Sequence, residues 1–256
     1  MRISVVTIVF NDRKNICKTI ESVVDQSART DIEYIIIDGK STDGTSELIL
    51  KYADEIDIYI CEKDTGIYNA MNKGLYHAHG EYVIFMNSGD CFSHTNVIAS
   101  TISAIDNHSA TPALVYGDYR ELKEGVYTSQ IPSRTPKWIW YGPIASHQST
   151  FYNLAFLRQH GLSYDESYKI AADYKLTLEV ITRAAGNALR ISVCISDFDT
   201  SGSSNTNQDL GLREANRVRQ ELLGWGRFRS CILTVLLLSA RYMKKNVSTI
   251  YKLIRY

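Results

Sequence analysis

Residues 81–90, EYVIFMNSGD, run from five apolar side chains straight into Asn87, Ser88, Gly89 and Asp90. So short and unbroken an apolar run is the mark of a strand covered on both faces. Two more such runs precede it, ISVVTIVF at 3–10 and EYIIIDG at 33–39. Between the three lie stretches with apolar side chains at helical spacing. NICKTIESVVDQS carries Ile16, Ile20 and Val23 or Val24. TSELILKYADEI opens on a Ser or Thr cap and carries Leu48, Ile49 and Tyr52. IYNAMNKGLYHAHG ends on Gly80, where a left-handed C-terminal cap is expected. This alternation predicts an α/β fold, a Rossmann-like, mostly parallel doubly wound sheet flanked by helices.

Beyond Cys91 the pattern predicts a helix over 97–105, a strand in ALVYGDYRE, a helix in AADYKLTLEVITRAAG and a strand in ALRISVCISDF. Residues 129–149 are Pro-rich and aromatic, a loop suited to a binding surface. From Leu210 the chain reads as helical and increasingly basic. Composition excludes several classes. With 28 Lys plus Arg against 28 Asp plus Glu, no overall charge points to nucleic acid. The five cysteines stand singly, with no C-x-x-C pair, and read as reduced and mostly buried thiols. The N-terminal run breaks at Asn11-Asp12 without a cleavage site, so a first strand and a cytoplasmic location are expected.

In open α/β sheets ligands bind outside the carboxyl ends of the strands. Three polar clusters fall there: Asn11-Asp12, then Asp38 with Ser41, Asp43 and Gly44, then residues 87–90. Asp43-Gly44 also fits a plain turn. Asp38, closing a run of three isoleucines, has no structural partner visible in the sequence. No G-x-G-x-x-G follows the first strand, which argues against an ordinary dinucleotide-binding domain. The same loop has no glycine for a triphosphate, which argues against the alternative of a sugar nucleotidyltransferase.

SVVTIVFND, YIIIDGKSTDGT, EKDTGIYNAMNKG and GEYVIFMNSGD stand in an order and spacing that resembles the inverting nucleotide-sugar glycosyltransferases of family 2, which have the GT-A fold. The resemblance spans residues 2–90 and runs on to about 204. Its wording looks closest to bacterial enzymes of O-antigen and exopolysaccharide synthesis. It implies a GT-A domain over 1–205, with a donor half (1–95) and an acceptor and base half (96–205). Residues 206–256 would form a helical extension.

By the same resemblance, Thr7, Asn11, Asp38, Asn72 and Asn87 would bind a nucleotide-sugar donor, with UDP as the expected nucleotide. Asp90 would hold Mg²⁺ or Mn²⁺ against the diphosphate, as the last acid of a D-x-D type motif reduced to Asn87-Ser-Gly-Asp90. Where the family often has Arg, this chain has Met71, so Lys63 or Lys73 would supply a phosphate contact. Asp173 would be the general base, with Asp165 and Glu166 as second choice. His147, beside Gln148, would contact the diphosphate or acceptor, or be an ordinary surface histidine. Trp138, Trp140 and Tyr141 would form a platform for the acceptor sugar, or a packed aromatic cluster. Residues 202–205 would close over the donor.

The tail interleaves Arg227, Arg229, Arg241, Lys244 and Lys245 with Trp225, Phe228 and several leucines. That mixture suits either a peripheral contact with the anionic inner face of the cytoplasmic membrane, where a lipid-linked saccharide acceptor would lie, or a helix packed on the domain. A non-catalytic nucleotide-sugar-binding module is the alternative outside enzymes.

Overall fold

The structure, a computed structural model, describes residues 2–123, 126–199 and 207–246. The N-terminal half contains β1 (Ile3–Val9), α1 (Ile16–Val24), β2 (Ile32–Asp38), α2 (Thr45–Ile49), β3 (Ile58–Cys61), α3 (Ile67–His77), β4 (Tyr82–Phe85) and β5 (Cys91–Phe92). There follow α4 (Val97–Asp106), β6 (Leu114–Lys123), β7 (Val126–Tyr127), β8 (Thr150–Asn153), α5 (Leu154–Gln159), α6 (Ala172–Arg183) and β9 (Ala188–Asp199). Two helices, α7 (Gln208–Leu223) and α8 (Arg227–Asn246), end the described chain.

All strands join one sheet in the order β3-β2-β1-β4-β8-β6-β9-β5, with β7 beside β6. The first four are parallel, as the alternation predicts. Beyond β4 the sheet is mixed, because β8 pairs antiparallel with both β4 and β6. The period of two divides each buried strand between two cores. Val6, Ile8, Ile35, Ile37, Val83 and Phe85 face α3, α5 and α6. Val5, Val9, Tyr34, Ile36, Tyr82 and Ile84 face α1, α2 and α4. Coverage on both faces is why these strands read as unbroken apolar runs.

Three expectations are corrected. Gly80 does not cap α3 in the left-handed conformation; the helix ends two residues earlier, at the extended Ala78. A Cβ at Gly80 would lie 2.7 Å from the Ser4 amide nitrogen, so the glycine permits a close backbone approach. The opening of α2 is capped by the Asp43 carboxylate, which accepts from the Thr45 N–H and hydroxyl. All five cysteines are free, but only Cys91 is buried. Cys61 ends the edge strand β3, and Cys231 lies on the outer side of α8.

The first helix of the C-terminal extension is packed into the body. Glu214 of α7, itself buried, accepts from the backbone N–H groups of Lys169, Ile170 and Ala171. Those amides lead into α6, so α7 fixes the position of its first turn. Arg219, a large and almost fully buried charged side chain, donates to the Trp140 and Tyr141 carbonyls and lies over the Tyr174 ring.

Candidate active site

Parallel strands in register bring the loops after β1, β2 and β4 to one edge. There a cleft of about 570 Å³ opens between Ile8, Phe10 and Asp12 after β1, Gly39 after β2, Lys63 to Ala70 at the start of α3, and Asn87 and Ser88 after β4. The first amides of α3 have no helical partners, so this wall favours an anion. Lys63 brings a positive side chain to the same wall. Lys73 is committed elsewhere, bound to Asp64 at 2.6 Å and Glu62 at 2.8 Å.

Several residues expected to line the donor site stand behind it. Thr7 is fully buried and donates to the Met86 carbonyl at 2.8 Å. Asn11 stitches two loops, its Oδ1 accepting from Thr42 N–H and its own N–H donating to Ser41. Asn72 is turned away from the cleft and clamps the segment before α6, exchanging hydrogen bonds with the Tyr164 backbone and donating to Glu166.

Asp38 is fully buried, its oxygens taken by the Ser41 N–H and hydroxyl, the Ser46 and Tyr59 hydroxyls and the Cys61 thiol. Burial works to raise this carboxyl, and the Ser46 and Ser41 hydrogen bonds more than offset it, leaving the pKa lowered. These are the structural partners the sequence did not reveal. Of Thr7, Asn11, Asp38, Asn72, Asn87 and Asp90, only Asn87 lines the cleft. The carboxylates that do line it are Asp12 and Asp64. Both sit in polar stretches, N-D-R-K and E-K-D-T-G, where nothing local distinguishes them from solvated loop acids.

Asn87-Ser-Gly-Asp90 forms a tight turn, with Gly89 at φ 95° and Asp90 N–H bonded to the Asn87 carbonyl. Ser88 donates to Asp12 at 2.7 Å. The turn buries the Asp90 carboxylate, whose Oδ2 accepts from Gln148 Nε2 at 2.7 Å. Among the described residues no three His, Cys, Asp or Glu side chains cluster as a resident metal would require. Asp90 is the carboxylate of this turn that could contribute to a Mg²⁺ or Mn²⁺ ion shared with substrate phosphates.

His147 and Gln148 form a short 3-10 turn that reaches across the sheet edge. His147 Nε2 lies 3.1 Å from Asn87 Nδ2, and its Nδ1 lies 3.7 Å from Asp173 Oδ2. Asp173 stands in the first turn of α6 and lines a small pocket with Ile67, Tyr68, Met71, His147, Lys169 and Ile170. Ile67 also lines the large cleft, so the two cavities adjoin. Burial pushes the Asp173 carboxyl up to about 6, and the nearby charge of Glu214 adds to the rise. Burial drives His147 down to about 4, so the ring is neutral.

The second-choice bases are in other settings. Asp165 is bound to Lys175 at 2.6 Å. Burial would raise its pKa, but the Lys175 and Ser167 contacts hold it at about 2. Glu166 is exposed and bonded to Asn69 and Asn72. Trp138, Trp140 and Tyr141 join Trp225 in a packed aromatic cluster with centroids about 6 Å apart, leaving Trp138 half exposed. Residues 202–205 lie outside the described residues.

A glycosyltransferase of Mycobacterium tuberculosis, named as uncharacterized, is 31% identical over 201 residues, 78% of this chain and 76% of its own. TarS of Staphylococcus aureus, solved as its 1–349 fragment with UDP-GlcNAc, superposes with a TM-score of 0.69 at 19% identity, covering 99% of this chain and 76% of that one. The chain spans 34% of full-length TarS in the sequence comparison. A mannosyltransferase of Pyrobaculum calidifontis, in complex with GDP-Man and Mn²⁺, superposes with a TM-score of 0.70 at 13% identity, covering 99% and 78%. These structural likenesses establish the GT-A fold. Residues 4–168 match the sequence profile described as Glycosyl transferase family 2, and the chain is a glycosyltransferase belonging to that family.

Proposed function

We propose that the chain transfers a sugar, with inversion, from a UDP-linked donor in the large cleft to a hydroxyl of a lipid-linked or growing saccharide, in bacterial surface polysaccharide synthesis. The observation that carries this reading is Asp173: a half-buried carboxyl raised to about 6, in a pocket that shares Ile67 with the cleft. A carboxylate poised there takes a proton near neutral pH. The acceptor oxygen forms its bond to the anomeric carbon from the face opposite the diphosphate, and its proton passes to Asp173. The bond to the diphosphate breaks with its electron pair on the leaving phosphate oxygen. Lys63 and the amides at the start of α3 neutralise that charge. Asp90 would hold a divalent ion, which would supply charge to screen the diphosphate.

The test is calorimetric titration of UDP-, GDP- and dTDP-sugars, with and without Mn²⁺, into the chain and its Asp90→Ala variant. Metal-dependent binding of one donor class, weakened in the variant, supports the reading. A folded chain that binds no nucleotide under any metal condition removes it.

We also propose a peripheral contact with the cytoplasmic membrane through α8. No helix among the described residues is long and apolar enough to cross a membrane. The outer side of α8 nonetheless exposes Phe228, Ile232, Val235 and Leu236. Residues 222–256 contain seven Lys or Arg and no acidic residue, which suits an anionic surface. Co-sedimentation with anionic vesicles, absent with neutral ones and lost in Phe228→Ser/Leu236→Ser, supports the contact. Equal recovery with both vesicle types counts against it.

A further inference from the structure

His147 is in contact with both Asn87, just beyond β4, and Asp173, at the start of α6. Its chemistry follows from those two neighbours. An amide nitrogen only donates, so Asn87 Nδ2 at 3.1 Å requires His147 Nε2 to accept. A neutral imidazole with a bare Nε2 carries its proton on Nδ1. That N–H faces Asp173 Oδ2 at 3.7 Å, while Asp173 Oδ1 accepts from the Tyr174 N–H at 2.8 Å. One carboxylate oxygen is anchored to the helix and the other faces the ring.

A histidine paired with a carboxylate commonly serves as the base itself, through its far nitrogen. Here the far nitrogen is occupied by the Asn87 amide. The orientation has a cost, since Asn87 Oδ1 is shielded from solvent and makes no hydrogen bond. The amide thus leaves its oxygen unbonded while its nitrogen serves the ring.

We propose that His147 is a positioning residue, held as its Nδ1–H tautomer by Asn87, that orients the Asp173 carboxylate as the base and is itself barred from taking the acceptor proton. This assignment rests on the glycosyltransferase reading of Asp173, but its first test does not. In the full chain labelled with ¹⁵N-histidine, with no substrate present, the His147 signal is identified by its loss in His147→Gln. The expected spectrum shows a protonated Nδ1 and a bare Nε2. Replacing the amide in Asn87→Leu releases the ring to the Nε2–H form. A protonated Nε2 in the unmutated chain, or a tautomer indifferent to Asn87→Leu, overturns the proposal.

The second test is kinetic. His147→Leu lowers kcat on the order of 10²-fold, the scale of a misplaced catalytic group, with UDP affinity unchanged. His147→Asn, which keeps a donor near the Nδ1 position, recovers part of the loss. In Asp173→Asn the further change His147→Leu costs nothing more, because both act through one carboxylate. Losses that multiply, or an effect confined to UDP affinity, overturn the proposal. Failure of the donor reading is recognised separately, as no UDP binding by the unmutated chain; the tautomer then decides the inference alone.

Discussion

Asp38 and Asp173 are the same residue type in opposite surroundings. Asp38 ends β2 and is saturated by five donors from Ser41, Ser46, Tyr59 and Cys61. Asp173 opens α6 and has one short hydrogen bond, from the amide of Tyr174. Burial raises both carboxyls, but only Asp38 has enough donors to reverse the effect. A satisfied buried carboxylate holds loops together and is no longer basic. A starved one is costly to keep ionised, and that cost is its basicity. The accompanying charges follow the same division, since Glu214 adds a negative charge near Asp173 and, among the described residues, no Lys or Arg pairs with it, only the neutral His147 ring facing it.

The sharpest way to break this comparison is to remove one charge at each site. Asp173→Asn is expected to lower kcat by about 10²–10⁴-fold, the usual worth of a positioned base, with UDP binding retained. In the unmutated enzyme kcat falls as pH drops through about 6, because protonation removes the base. A flat profile between pH 5 and 7, with chemistry rate-limiting, would assign the base elsewhere.

The same substitution carries a stability signature of opposite sign. A carboxyl whose folded pKa is raised stabilises the fold while neutral, and that advantage is lost as pH rises through about 6. Asp173→Asn therefore melts higher than the unmutated chain at pH 8, by up to roughly 2–3 kcal/mol, and the gain vanishes near pH 4. Thermal melts at the two pH values read it directly.

Asp38→Asn should do the reverse. The new amide donor meets hydroxyls and an N–H that also donate, so stability falls by roughly 2–3 kcal/mol at neutral pH. Because the folded pKa of Asp38 is lowered, its contribution is present above the unfolded value and is lost as pH falls through the folded one. Denaturant melts at pH 7 and pH 3 separate the two carboxylates. A stable Asp38→Asn variant that loses only UDP affinity would return Asp38 to the donor site.

These opposite roles were unevenly legible in the sequence. The parallel strands were visible because burial on both faces writes an unbroken apolar run. The strand β8 has only four residues and β5 only two, and their pairing depends on partners tens of residues away. Asp173 was expected at the opening of a helix, and it stands in the first turn of α6. Asp38 was misjudged as lacking a structural partner because Ser46, Tyr59 and Cys61 come together only after β2 and β3 pair. Asn72 was drawn to the cleft by motif, whereas its side chain faces the Tyr164 backbone, 92 residues on. Position along the chain marks where an acid stands, and the donors that decide its chemistry are supplied by the fold.

The smallest effect separates Asp173 from its neighbour in sequence, Asp165. Both are partly buried acids close to α6, and both fit a base by position. Asp165, however, is paired with Lys175 at 2.6 Å and held at about 2. So depressed a carboxylate accepts a proton poorly at pH 7, and the Lys175 ammonium already occupies one of its oxygens. Asp165→Asn is therefore expected to leave kcat within about twofold and to cost only about 0.5–1 kcal/mol of stability, the scale of a half-exposed ion pair. That stability is fully present above the unfolded pKa and fades as pH falls through about 2, so melts at pH 7 show it and melts near pH 2 do not. If Asp165→Asn instead abolished turnover while Asp173→Asn spared it, the lysine-paired acid would be the base, and the link drawn between missing donors and basicity would fail at this site.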